Sequence, residues 1–257
     1  MKNRYRYTLM MLLVMTTLAV AQDEPDDEPL PPPRRAGATK IGGAIGFTQG
    51  LLFMNFDPIN EVMRRENLAE FTNNGLAMFG GQAYGYVLFV PNLRLGYQGM
   101  GGSTKSKTYT LASNTTREVE LSVGYHAATF DYTIPVAPRL DVSVGLMLGG
   151  GSLSLEFTRS SGLGQQWLST WDEFGSNAPV AEYTGTLSSG FFVYQPTFSV
   201  EFAIMRWLAF RGGVSYLGMA GSDWKRDDRY DVFGVPDNIS GKGWMINSGI
   251  YIGTFVF

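Results

Sequence analysis

Cysteine is absent from all 257 residues. That excludes disulfide staples, thiolate catalysis and anchoring through a lipidated cysteine. Histidine occurs once, as His126, so with no thiolates a metal site has almost nothing to be built from. Basic residues are not gathered into a patch, which removes the footprint of a nucleic-acid binder. Beyond the first twenty or so residues, no apolar run is long enough to cross a bilayer as a helix. What the chain has instead is 32 glycines, 14% aromatic residues and many β-branched ones.

The N-terminus has a separate character. MKNRYRY is basic, TLMMLLVMTTLAV is a short apolar run, and AVA precedes Gln22. This order predicts a signal peptide over 1–21, cleaved after Ala21, and hence an exported protein. The first 21 residues hold three basic residues and no acids, so 17 basic against 23 acidic residues remain, a net charge of −6. Residues 22–38 carry five acids between Asp23 and Glu28, together with five prolines. Such a composition cannot build a core and predicts an extended, disordered periplasmic tail, with docking to a periplasmic partner as its functional reading.

From 39 to 257 the chain reads as ten-residue stretches of alternating character, the signature of barrel strands. Eight are predicted, near 40–53, 79–90, 92–101, 117–134, 139–157, 190–204, 207–218 and from 244 onward. The connections alternate strictly. Three are tight turns, at 90–92, 135–138 and 205–206, and four are long, at 54–78, 102–116, 158–189 and 219–243. An antiparallel barrel in a membrane sorts its loops in this way, with short turns on the periplasmic side. The predicted fold is therefore an all-β, closed, up-and-down transmembrane barrel. Ten strands remain open, should the third long connection fold back as a hairpin. Asp57 to Phe71 reads as a short helix at the barrel mouth, with Pro58 in its first turn.

Large apolar side chains occupy one face of each strand, and glycine, small and charged residues the other. Lipid suits the first set and a narrow lumen the second, so the apolar face is expected outward. On the fourth strand this places Val119, Leu121, Val123 and Tyr125 outward, with Glu118, Glu120 and His126 inward. Gly149 to Gly151 shift the apolar phase of the fifth strand, which predicts a bulge. Pro196 lies in mid-strand and predicts an irregularity. Interface girdles are expected from Tyr132, Trp207, Phe255 and Phe257 at the short-turn end, and from Tyr84, Tyr97, Trp224 and Trp244 at the other.

The closing stretch, WMINSGIYIGTFVF, has no charge and ends on Phe255-Val256-Phe257. With the signal peptide and the eight strands, it resembles small outer-membrane barrels of the OmpA/OmpX-like kind. The resemblance spans roughly 40–257 and is one of pattern. It implies that Phe255 and Phe257 form an assembly signal read by the barrel-assembly machinery, and that outer-membrane lipid surrounds the wall. A glycine usual five residues before the terminal aromatic is replaced here by Ile252.

The inward charges are expected to be Arg94, Glu118, Glu120, Asp141, Glu201 and Arg211, paired as a lumen network because unpaired buried charge is costly. Glu201 and Arg211 flank a tight turn at similar distance and are the most specific pair. Ser122 and His126 are about 13 Å apart along a strand and cannot form a catalytic couple. Loop aromatics Trp167, Trp171, Phe174, Trp224 and Tyr230 are the candidate contact residues. The chain is thus read as a non-enzymatic outer-membrane barrel with a structural, adhesion or ligand-contact role, without cofactor or metal. The rival readings are a narrow passive channel, a lipid-modifying enzyme and a soluble periplasmic ligand-binding barrel.

Overall fold

The computed structural model describes residues 42–71, 75–110, 115–160, 182–236 and 238–255. Their strands are β1 (Gly43–Met54), β2 (Leu76–Tyr86), β3 (Leu93–Thr110), β4 (Thr115–Ala137), β5 (Leu140–Ser160), β6 (Tyr183–Met205), β7 (Leu208–Arg226), the two-residue β8 (Tyr230–Asp231) and β9 (Gly243–Gly253). One helix, α1 (Asp57–Arg65), follows β1. All neighbours are antiparallel. β1 pairs with both β2 and β9, and β6 pairs with both β5 and β7, so eight strands close on themselves while β8 only lengthens the β7 rim.

The register fixes the shape of this barrel. From Gly42 it runs through Tyr86, Arg94, Asp131, Gly145, Thr197, Ser215 and Met245 and returns to β1 at Leu52, ten residues along. Eight strands with that stagger incline by about 40° to the axis, so each residue climbs about 2.5 Å and each step to the next strand about 3 Å.

Long connections turn out shorter than the sequence predicts. β3 and β4 pair as far as Thr110 and Thr115, and β5 and β6 as far as Arg159 and Tyr183. With β7, which pairs with β6 as far as Arg226, five strands therefore rise well above β1, β2 and β9. The bulge predicted at Gly149 to Gly151 is not there, since the register with both neighbours runs through unbroken. Pro196 also keeps its strand in register. It points outward, and pairing with β7 resumes at Thr197 after Tyr194. The irregularity sits instead between Gly190 and Phe192, opposite Gly221 at φ 77°.

Strand β4 explains the missing bulge. Val119, Leu121, Val123, Tyr125, Ala127, Thr129, Asp131 and Thr133 are all buried, in one unbroken alternation. The inner face is apolar in the upper half and polar in the lower. The outer face does the reverse, from Glu118 and Glu120 above to Phe130, Tyr132 and Ile134 below. The expected orientation of the fourth strand is thus corrected: Val119 to Tyr125 face inward, while Glu118, Glu120 and His126 face outward. The same holds for Leu153 and Leu155 on β5, which are buried. An apolar residue faces lipid where lipid is present and faces the core where the strand stands in water.

Candidate functional site

The lumen has three layers. At the short-turn end lies a polar seal around Glu201, which is only 3% exposed. Its carboxylate accepts Arg94 Nη1 at 3.0 and 3.1 Å, Arg211 Nε at 3.0 Å and Nη2 at 2.5 Å, and the Tyr84 hydroxyl at 2.9 Å. Glu201 faces Arg211 directly across the β6–β7 register, whereas Arg94 reaches it from β3 on the far wall. The remaining donors are used as well. Arg94 donates to Thr133 at 2.5 Å and Ser143 at 3.0 Å, and Arg211 to Gln82 at 3.1 Å. Both guanidinium groups stack on the Tyr84 ring, at 4.7 and 4.6 Å, and Arg211 also covers Tyr251 at 4.5 Å. Two buried cations sharing one carboxylate are tolerable only when so completely hydrogen-bonded.

Above the seal is a cavity of ≈ 30 Å³, lined by Thr48, Gln82, Gln98, Asp131, Thr197 and Ser199 among others. It has room for about two water molecules. Asp131, 4% exposed, looks into it and lies near Arg211. Thr48 Oγ1, Thr129 Oγ1 and Gln195 Oε1 are buried without a protein partner.

The third layer is an apolar core inside the upper barrel. Leu52, Met78, Leu121, Val193, Leu217 and Met245 are essentially inaccessible there. Loop 1 closes it from above. Ile59 and Met63 of α1 and the Phe56–Phe71 pair, 5.7 Å apart, insert into the mouth. Asn60 staples the loop by donating to Phe71 O at 3.0 Å and accepting from Phe71 N at 2.8 Å. Trp224 completes the lid. Gly221 adds a residue to β7, which reverses its facing, and Trp224 turns inward to 7% exposure.

Of the residues singled out from sequence, the structure brings Arg94, Glu201 and Arg211 together. Asp141 is half-buried at the short-turn end, across the register from Glu201. Glu118 and Glu120 are corrected: they lie on the outer wall, where Lys105 meets them at 3.0 and 2.9 Å and Lys107 meets Glu118 at 2.8 Å. His126 is also outside, its ring 6.3 Å from that of Tyr97. Trp224 is core, not an exposed contact, while Tyr230 is exposed. Tyr84 belongs to the seal and not to an outer girdle, and Phe255 packs partly buried against the cluster of Ala44, Tyr84, Ala203, Ala209 and Tyr251. Trp167, Trp171, Phe174 and Phe257, like the signal peptide and the acidic tail, lie outside the described residues. Sequence reading missed Asp131, Gln82 and Tyr251. The alternation Thr129, Asp131, Thr133 against Phe130, Tyr132, Ile134 was the available signal for the first.

No family model matches the chain, and no curated protein matches it either. Several solved structures are similar to it. A major outer membrane protein from Thermus thermophilus superposes with a TM-score of 0.43 at 10% identity, covering 82% of this chain and 98% of that one. Ail, the attachment invasion locus protein of Yersinia pestis, in complex with the heparin analogue sucrose octasulfate, gives 0.36 at 10%, covering 85% and 100%. Acinetobacter baumannii CarO gives 0.37 at 9%, covering 80% and 96%.

Proposed function

We propose that this chain is an outer-membrane β-barrel that acts through its outer rim, in adhesion, ligand contact or envelope integrity. The observation that carries this is the reversal of polarity at one level of the wall. Below it, exposed apolar residues such as Ile45, Phe47, Val144, Phe198, Ile250 and Ile252 surround a polar interior. This outward band is about 25 Å tall, the thickness a barrel presents to lipid. Above it, the outer face carries Lys105, Lys107, Glu118 and Glu120 around an apolar core. A soluble ligand-binding barrel would keep apolar residues inside along its whole length.

The interior favours a rim function over conduction or catalysis. It is sealed by ion pairs below and by packed side chains above. His126, the one histidine, lies outside beside Tyr97 with glycines as both cross-strand neighbours, Gly99 and Gly150. The tall β3–β7 wall supports a rigid platform for the rim. Export by a cleaved signal peptide, handling by the barrel-assembly machinery through the last strand, and a periplasmic partner for the acidic tail complete the proposal. Its test is fractionation with gel mobility in detergent: the protein should sediment with membranes and migrate faster unheated than boiled. A protein soluble without detergent, or one with no heat-dependent shift, sinks it.

A further inference from the structure

Over about the lowest 20 Å of the wall, the outward positions of the eight closing strands are aliphatic, aromatic, proline or glycine, with two exceptions. These are Gln49 on β1 and Ser248 on β9, which face each other across the register. Gln49 Nε2 donates to Ser248 Oγ at 3.4 Å. By the climb per residue and per strand they stand about 17 and 14 Å above Gly42. That is close to mid-height of a band that reaches from Ile204 and Leu208 up to Phe53 and Phe192. The next polar side chain in height, His126, stands at about 22 Å on the opposite wall, where Ser122 and Glu120 follow higher on the same strand face.

Lipid tails neither donate nor accept hydrogen bonds, so a carboxamide held at that depth is costly until a protein group pairs with it. The bond to Ser248 uses one amide hydrogen. Among the described residues nothing else reaches this carboxamide, which leaves its oxygen and its second hydrogen over. Gln49 lies about 10 Å below Phe53, too deep for so short a side chain to reach the headgroups. Glycines flank the pair, Gly212 across from Ser248 and Gly81 across from Phe47. A β-carbon at either would meet nothing closer than 3.4 Å, so packing within the barrel does not demand them. They lower the surface beside the pair and let another wall approach closely. Phe47 and Phe79, with rings stacked 6.4 Å apart, and Leu51, Ile246 and Ile250 surround it with apolar contact area.

We infer that this face binds a second copy of the chain, forming a two-fold dimer within the membrane centred on Gln49 and Ser248. The inference rests on the membrane reading above. Two copies carry the same band, so they sit at the same depth and in the same orientation. A two-fold axis along the membrane normal then sets Gln49 against the partner's Gln49. A carboxamide is self-complementary, and each can donate its second hydrogen to the other's oxygen. The face is on the low side of the barrel, where β9, β1 and β2 end beneath the tall strands. β4 and β5 form the opposite wall, so Glu118 and Glu120, with the lysines that pair them, stay in water away from the contact.

The test uses the full chain. Wild type and Gln49→Leu are compared by sedimentation equilibrium in density-matched detergent micelles. Ile246→Cys and, at similar depth on the opposite wall, Leu146→Cys are oxidised with copper phenanthroline in membranes, each the sole cysteine of its chain. Heat-dependent gel mobility confirms that every variant is a folded barrel. The expected result is a wild-type dimer, a dissociation constant raised about tenfold in Gln49→Leu, and disulfide-linked dimers at 246 but not at 146. A folded wild type that stays monomeric, or equal cross-linking at 246 and 146, overturns the dimer and leaves the membrane barrel standing. Cross-linking at 246 only to a protein of another mass overturns the second copy as the occupant. Gln49→Leu that dimerises as tightly as wild type overturns the carboxamide as its centre. A chain that is soluble without detergent overturns both the dimer and the membrane reading.

Discussion

Asp131 leans its carboxylate over Gly145, so closely that a β-carbon at position 145 would stand 1.9 Å from Oδ1. The two residues face each other across the β4–β5 register. A glycine is therefore needed here for the acid to reach the lumen cavity and lie near Arg211. Gly145→Ala should destabilise the barrel by about 1–3 kcal/mol, the usual range for overpacking a filled interior. Gly150→Ala on the outer face should be close to neutral. Urea unfolding in detergent micelles, read as the shift in midpoint for each variant, separates them. Equal midpoints would show that Asp131 does not occupy this position.

Glu201 neutralises two guanidinium groups at once. Its replacement by Ala leaves Arg94 and Arg211 buried side by side, and the cost should be about 3–5 kcal/mol. Glu201→Gln should fall between Ala and wild type because it keeps hydrogen-bond acceptance and loses the charge. Removing Arg94 in the Glu201→Ala background should restore part of the loss, which a double-mutant cycle measures.

Breaking the seal should not open a pore. Above it, Leu52, Leu217, Met245 and their neighbours still fill the barrel. In planar bilayers both wild type and Glu201→Ala should be silent. Stepwise conductance in the variant would mean that the apolar core is permeable, and the channel reading would return.

Loop 1 is held on its outer side by Arg64, which donates to both carboxylate oxygens of Glu70 at 2.9 Å. That bonding holds Glu70 below the usual carboxylate range. A depressed folded value means that the contact contributes above the ordinary glutamate pKa and is lost as pH falls through the lowered one. The pair is exposed, so the effect is small and local. Amide exchange around Leu68 to Phe71, corrected for intrinsic rate, should quicken on acidification in wild type. The same change should be absent in Arg64→Gln.

Trp224 tests the bulge at Gly221. At φ 77° a β-carbon is strained, so Gly221→Val should disfavour the extra residue and the turn that buries Trp224. In a background where the other tryptophans are Phe, emission should shift to longer wavelength in the Val variant. Emission unchanged from the parent would show that Trp224 is buried without the bulge.

Much of the fold was legible in the chain. Alternating segments, tight turns at Pro91 and Pro138 and the sorting of long and short connections are local properties, so eight strands in an up-and-down barrel could be read directly. Glu201 and Arg211 flank a two-residue turn, and hairpin register follows from turn length. Other features were out of reach. Alternation divides a strand into two faces but does not say which one is inside, and on β4 and β5 the answer reverses in meaning where the strand leaves the lipid. For that reason Glu118 and Glu120 read as lumen residues in the sequence, and Gly149 to Gly151 read as a bulge. The bond from Arg94 to Glu201 crosses the lumen between strands that are not neighbours, and Asp131 depends on the space left by Gly145. Sequence alone determined the periodicity and the turns, because these depend on neighbours along the chain. Only the closed tertiary structure decided which face is inside at each level, because that depends on what surrounds the wall, and on which distant strands curvature brings face to face.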